Sequence, residues 1–215
     1  MEQNYAHPVR EHHVHQRHFD RLVMLSDGVF AIAMTLSAVE LRPEAKPGQT
    51  LVQIWGLPLL AYFLTFFIIG IAWLQHRRAL AQLRRTDNTL TLITLVLLSM
   101  IALMPVVIRT MITNDGGVDS TSGFVIYAFS LLLINLCLTV GWGYAAFIGQ
   151  LVPDMPRSKA WSWLMHDLFP ALVWAAIACW FLHLVWMVAL MVALALAARI
   201  ASARLERKDE TPASD

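Results

Sequence analysis

Long apolar blocks bounded by charged residues, glycine or proline recur along the chain, near 20–41, 51–74, 89–108, 122–148, 163–182 and 184–203. Each approaches or exceeds the ~20 residues a helix needs to cross a hydrocarbon layer about 30 Å thick. The pattern predicts six membrane-spanning helices and an all-α polytopic fold. Pro58, Pro105 and Pro170 fall within or beside these spans, where membrane helices tolerate them and often kink.

The boundary between the last two spans carries the least signal. No glycine or proline divides Trp161 to Ala203, and only His183 interrupts the run. One helix of that length would measure roughly 65 Å at 1.5 Å per residue, twice the membrane. A tight turn near His183 is therefore expected.

Charge gives an independent check. With six spans, Arg10, Arg17, Arg21, Arg77, Arg78, Arg84, Arg85, Arg157, Lys159, Arg199, Arg204, Arg207 and Lys208 all fall on one side. Only Arg42, Lys46 and Arg109 remain opposite. By the positive-inside rule both termini are expected in the cytoplasm.

Composition agrees: 58% of residues are hydrophobic, 14% are charged, and mean hydropathy is +0.58, too apolar for a soluble core of this size. No cleavable signal peptide is expected. Cys137 and Cys179 sit in apolar runs, where packing explains them better than a disulfide or a metal. Residues 1–19 read as a polar, histidine-rich cytoplasmic tail, 20–204 as the six-helix transmembrane domain, and 205–215 as a disordered tail. His7, His12, His13, His15 and His18 invite a metal or pH-sensing role, but irregular spacing without acidic or cysteine partners favours a solvated tail.

The first span differs from the others in holding Ser26, Asp27, Thr35, Ser37 and Glu40. A carboxylate within a span needs a protein or water environment and a partner, which makes Asp27 a functional candidate; a hydrated or helix-capping carboxylate near the surface is the simpler alternative. At about 100° per residue, Ile32, Leu36 and Val39 form one stripe flanked by Thr35. Ser26 and Asp27 project roughly 120–140° to either side of it. The polar pair and the apolar stripe thus face different surroundings, with Gly28 permitting close helix contact nearby.

The stretch from Arg21 through Ser26-Asp27-Gly28 to Leu36 resembles the R-x-x-x-F-S-D signature and following helix of the bacterial relatives of transmembrane protein 175, a family of endosomal and lysosomal potassium channels. Six spans, a short basic link after the second helix, and total length agree with this. Leu25 stands where the family usually has phenylalanine. The resemblance implies a homotetramer conducting potassium ions, with each first helix lining a central pore and no carbonyl filter. No T-V-G-Y-G-like stretch occurs in the chain.

On that resemblance Ile32 forms the narrowest ring, with Leu36 and Val39 toward the outside, a hydrophobic constriction that favours ions losing hydration cheaply. Thr35 either tunes selectivity or bonds back to its own helix. Arg21, Ser26 and Asp27 become a structural latch, with His76 and Asn88 completing a hydrogen-bond network. Glu40 either concentrates cations at the outer mouth or pairs with Arg42. The expected partners are potassium ions, lipid and further copies of the chain, with no nucleic acid, no cofactor and no bound metal. The rival functions are a secondary transporter using Asp27 as its coupling carboxylate, and a membrane enzyme with heme or metal on His76, His166 and His183.

Overall fold

The computed structural model describes residues 7–41, 43, 47–112 and 120–210. Six helices account for nearly all of them: α1 (His7–Val39), α2 (Leu51–Leu80), α3 (Asn88–Ile112), α4 (Ser120–Gly143), α5 (Arg157–Phe181) and α6 (Val185–Glu210). All six contain a segment long and apolar enough to cross a membrane. The chain is an all-helical, multi-pass membrane protein, as its hydropathy pattern predicts.

Local sequence explains several ends. Thr50 caps α2 in a capping box, its hydroxyl accepting from the Gln53 N–H while the Gln53 side chain accepts from the Thr50 N–H. Asp87 caps α3 by accepting from the Leu90 N–H at 2.8 Å. Helix α4 widens into a π-helical turn at Tyr144–Ile148 before it ends. Pro58, Pro105 and Pro170 lie inside continuous helices.

The turn expected near His183 is present. The Leu184 N–H reaches the Cys179 carbonyl at 2.9 Å and the His183 N–H the Trp180 carbonyl at 3.0 Å. These two bonds make a Schellman ending to α5, with His183 at φ 57°, the left-handed position usually given to glycine.

Two boundaries depart from expectation. Helix α1 starts at His7, so 7–19 is helical where a tail was expected, and α6 continues through 206–210, where disorder was expected. A membrane-stabilised helix provides a nucleus, and each further residue then adds a hydrogen bond without a new nucleation cost. Pro8, in the first turn, has no N–H to lose there. His18 is exposed; the side chains of His7, His12, His13 and His15 lie outside the described residues, as do Arg42 and Lys46.

The core is built by α1 to α4. Phe30 and Ala33 of α1 pack with Ile69 and Ala72 of α2, Leu97, Ile101 and Met104 of α3, and Tyr127, Leu131 and Ile134 of α4. Helix α4 hands over to α5, and α6 packs chiefly on α5, so the last two helices form a peripheral hairpin. At the α3–α4 junction the backbones nearly touch: a Cβ on Gly123 would meet the Thr110 carbonyl oxygen at 2.8 Å.

Contacts between loops define the two ends of the bundle. Arg84, after α2, makes a two-point ion pair with Asp154, before α5. At the other end Glu40 lies 3.5 Å from Arg109 at the close of α3, and Thr121 and His183 line a common pocket. The α2–α3 and α4–α5 links therefore share one end.

Candidate functional site

Helix α1 has two dissimilar faces. Leu22, Ser26, Phe30, Ala33 and Ser37, spaced three or four residues apart, are buried against the chain's own core. Ile32, Leu36 and Val39 are 58%, 46% and 57% exposed, and Thr35 is exposed beside them. The stripe expected from helical geometry is a surface that this chain leaves uncovered.

Ser26 is fully buried at the α1–α2 contact. Its hydroxyl donates to the Leu22 carbonyl at 2.8 Å, and its oxygen lies 3.2 Å from His76 Nε2. Because the single hydroxyl hydrogen is used on Leu22, His76 must be the donor, which fixes its Nε2–H tautomer. Phe30 stacks on the same imidazole, with centroids 5.8 Å apart.

Asp27, exposed on the adjoining face, accepts a 2.8 Å hydrogen bond from Trp73 Nε1. Arg77 lies over the Trp73 ring at 5.3 Å, so its positive charge is held beside the carboxylate's donor. Ser26 and Asp27 thus both tie α1 to α2, through His76 and Trp73. Trp73 and Arg77 belong to this arrangement and were not anticipated. A tryptophan one turn from a polar histidine is a donor in need of an acceptor, the one signal by which Trp73 could have been found.

The contacts anticipated for Arg21 and Asn88 are different in the structure. Arg21 is exposed, and the partner of Asp27 is Trp73 instead. Asn88 is exposed and outside the Ser26–His76 contact. Its neighbour Asp87 carries the polar contacts there, accepting from the Leu90 N–H and from the Tyr144 hydroxyl at 2.6 Å, because a short carboxylate preceding a helix caps it. Thr35 bonds back to the Ala31 and Ile32 carbonyls, both at 3.0 Å, the satisfaction available to a hydroxyl inside an apolar helix. Glu40 faces Arg109, with Arg42 outside the described residues. Gly28 is exposed, and a Cβ added there would meet no atom within 4 Å, so no close contact within the described residues uses it. Leu25 is 47% exposed.

A second intramembrane carboxylate, Asp167 of α5, satisfies the rule that selects Asp27 and was overlooked. It borders a cavity of about 30 Å³ together with Gln75, His76, Thr94 and Cys137, space for a single water. Nearby, the Arg78 guanidinium stacks on Trp163 at 3.5 Å. Of the histidines considered as a joint ligand set, His76 meets Ser26, His166 meets Arg199, and His183 forms the α5–α6 turn, so the fold keeps them apart.

The sequence model of the endosomal/lysosomal potassium channel TMEM175 family matches residues 21–105, the segment from Arg21 through most of α3. A Streptomyces collinus potassium channel is 28% identical over 149 residues, covering 65% of this chain and 72% of that protein. A Chamaesiphon minutus potassium channel is 27% identical over 139 residues, covering 61% and 68%. The human endosomal/lysosomal proton channel TMEM175 is 25% identical over 144 residues, or 64% of this chain but only 28% of the human protein. No solved structure matches.

Proposed function

We propose that this chain, which belongs to the TMEM175 family, is a potassium-permeable channel subunit, four copies of which surround a pore lined by α1. The observation carrying this reading is the exposure of Ile32, Leu36 and Val39 on a helix whose opposite face is locked into the subunit core. In a fourfold assembly these residues form stacked apolar rings, with Ile32 the narrowest. Such a ring excludes water when tight and, slightly wider, passes ions in order of their cost of dehydration, which favours potassium over sodium.

Under this reading Ser26–His76 and Asp27–Trp73 hold α1 against α2 and set the orientation of the stripe. They act as braces, since neither pair lies on it. Thr35, bonded to its own helix, contributes its methyl and a shielded oxygen to the lining. The charge distribution supports a cytoplasmic position for the Arg84–Asp154 end and both tails in a bacterial cell, with 20–204 as the conducting domain. Potassium is preferred to protons as the principal ion because this chain covers 72% and 68% of two bacterial potassium channels it resembles, against 28% of the human proton channel.

Ion flux from proteoliposomes tests the proposal. Ile32→Asn wets the constriction, so flux rises and potassium–sodium discrimination falls relative to the unchanged protein. Equal conduction and selectivity in the two would remove Ile32 from the narrow point. Flux only in strict, electroneutral exchange for a second solute would replace the channel by a transporter.

A further inference from the structure

Between α5 and α6 runs a groove of about 540 Å³ whose lining is wholly apolar. Ala176 and Ala195, both buried, form its floor, while Phe169, Trp180, Val192 and Leu196 form its walls. From Phe169 to Phe181 it extends ~18 Å along α5 at 1.5 Å per residue.

One turn beyond the groove, on the same two helix faces, stand His166 and Arg199. Arg199 follows Leu196 by three residues and Ala195 by four; His166 precedes Phe169 by three. The Arg199 guanidinium reaches His166 Nδ1 at 3.3 Å, so the pair closes the groove at the end shared with the basic loops. Arg199 is exposed and lies inside the α6 span, yet the described ion pairs join other residues, Arg84 with Asp154 and Arg109 with Glu40. An exposed cation at that end of the span, with no described carboxylate beside it, attracts anionic lipid. An anionic phosphate supplies both the countercharge and the acceptors that a planar guanidinium fork binds.

We propose that the α5–α6 groove is a specific site for an anionic phospholipid, with one acyl chain between Phe169 and Phe181 and the phosphate held by Arg199 and His166. Charge complementarity selects this occupant: a neutral apolar partner would fill the groove but leave the guanidinium uncompensated. The small floor residues distinguish the trough from an ordinary lipid-facing helix surface by admitting one chain between the two helix backbones.

The test is native mass spectrometry of the purified full-length chain titrated with phosphatidylglycerol or phosphatidylcholine of identical acyl chains. Phosphatidylglycerol is expected to be retained about fivefold better, the effect of one basic side chain on an anionic headgroup. Arg199→Gln should abolish the preference and Arg199→Lys keep most of it, while Val192→Trp, which fills the trough, should lower retention of both lipids. Equal retention of the two lipids by the unchanged protein, or an undiminished preference in Arg199→Gln, overturns the proposal. So does displacement of phosphatidylglycerol by inorganic phosphate, which marks a soluble-anion site. A change in oligomer mass in Val192→Trp with lipid retention unaltered assigns the groove to a second copy of the chain instead.

Discussion

Ser26 Oγ and His76 Nε2 meet 3.2 Å apart in the buried α1–α2 contact, and the direction of that hydrogen bond is fixed because the Ser26 hydroxyl hydrogen is already given to Leu22. The two residues are asymmetric partners: Ser26 keeps a partner without His76, but His76 loses its acceptor without Ser26. Ser26→Ala should therefore lower stability by about 1 kcal/mol. Adding His76→Phe, which removes the stranded N–H while keeping an aromatic ring beside Phe30, should recover part of the loss. Thermal midpoints of the detergent-solubilised assembly measure both, and strictly additive losses would show that the bond contributes nothing.

The neighbouring Asp27–Trp73 contact predicts a different pattern. Trp73→Phe keeps the ring under Arg77 but deletes the N–H, and Asp27→Ala deletes its acceptor. Each should reduce the yield of assembled oligomer in size-exclusion chromatography, and the double variant should be no worse than the more damaging single one. Ion selectivity in the surviving assemblies should match that of the unchanged protein. A well-assembled Asp27→Ala oligomer with altered selectivity would move Asp27 from bracing to the ion path.

Hydropathy was sufficient to locate six helices, and the lone His183 in a long apolar run marked the turn, because membrane thickness limits how long an uninterrupted helix can be. Periodicity also separated the Ile32–Leu36–Val39 stripe from Ser26 and Asp27, since both lie on one regular helix. What the sequence did not reveal were pairings between helices. Trp73 with Asp27, Tyr144 with Asp87 and Arg109 with Glu40 depend on how each helix is rotated about its axis, and apolar runs that are hydrophobic on every side carry little record of rotation. Asn88 shares the membrane depth expected of His76, but depth does not fix rotation about the helix axis, and its side chain is exposed.

His183 carries the left-handed conformation of the α5–α6 turn at φ 57°. A β-branched residue is strained there, whereas asparagine tolerates it. His183→Val should lower the thermal midpoint by the equivalent of at least about 1 kcal/mol, and His183→Asn should leave it near the original. Equal effects of the two would mean that the turn reshapes around residue 183 and that its dihedral angle imposes no constraint.

Glu40 and Arg109 approach to 3.5 Å at the end of the bundle opposite the basic loops, with Arg109 44% exposed and Glu40 26%. In the proposed channel this places a carboxylate at the outer mouth with its field largely cancelled by the guanidinium. Arg109→Gln removes that cancellation, so four copies would present an uncompensated ring of negative charge to arriving cations. Single-channel conductance should rise in dilute salt, and the gain should vanish near 1 M, where screening acts over about 3 Å. Glu40→Gln should do the reverse, removing four negative charges from the entrance and lowering conductance most at low ionic strength. Salt-independent changes in either variant would mean that the pair acts on the packing of α1 against α3, and no change in either would place both residues away from the route taken by ions.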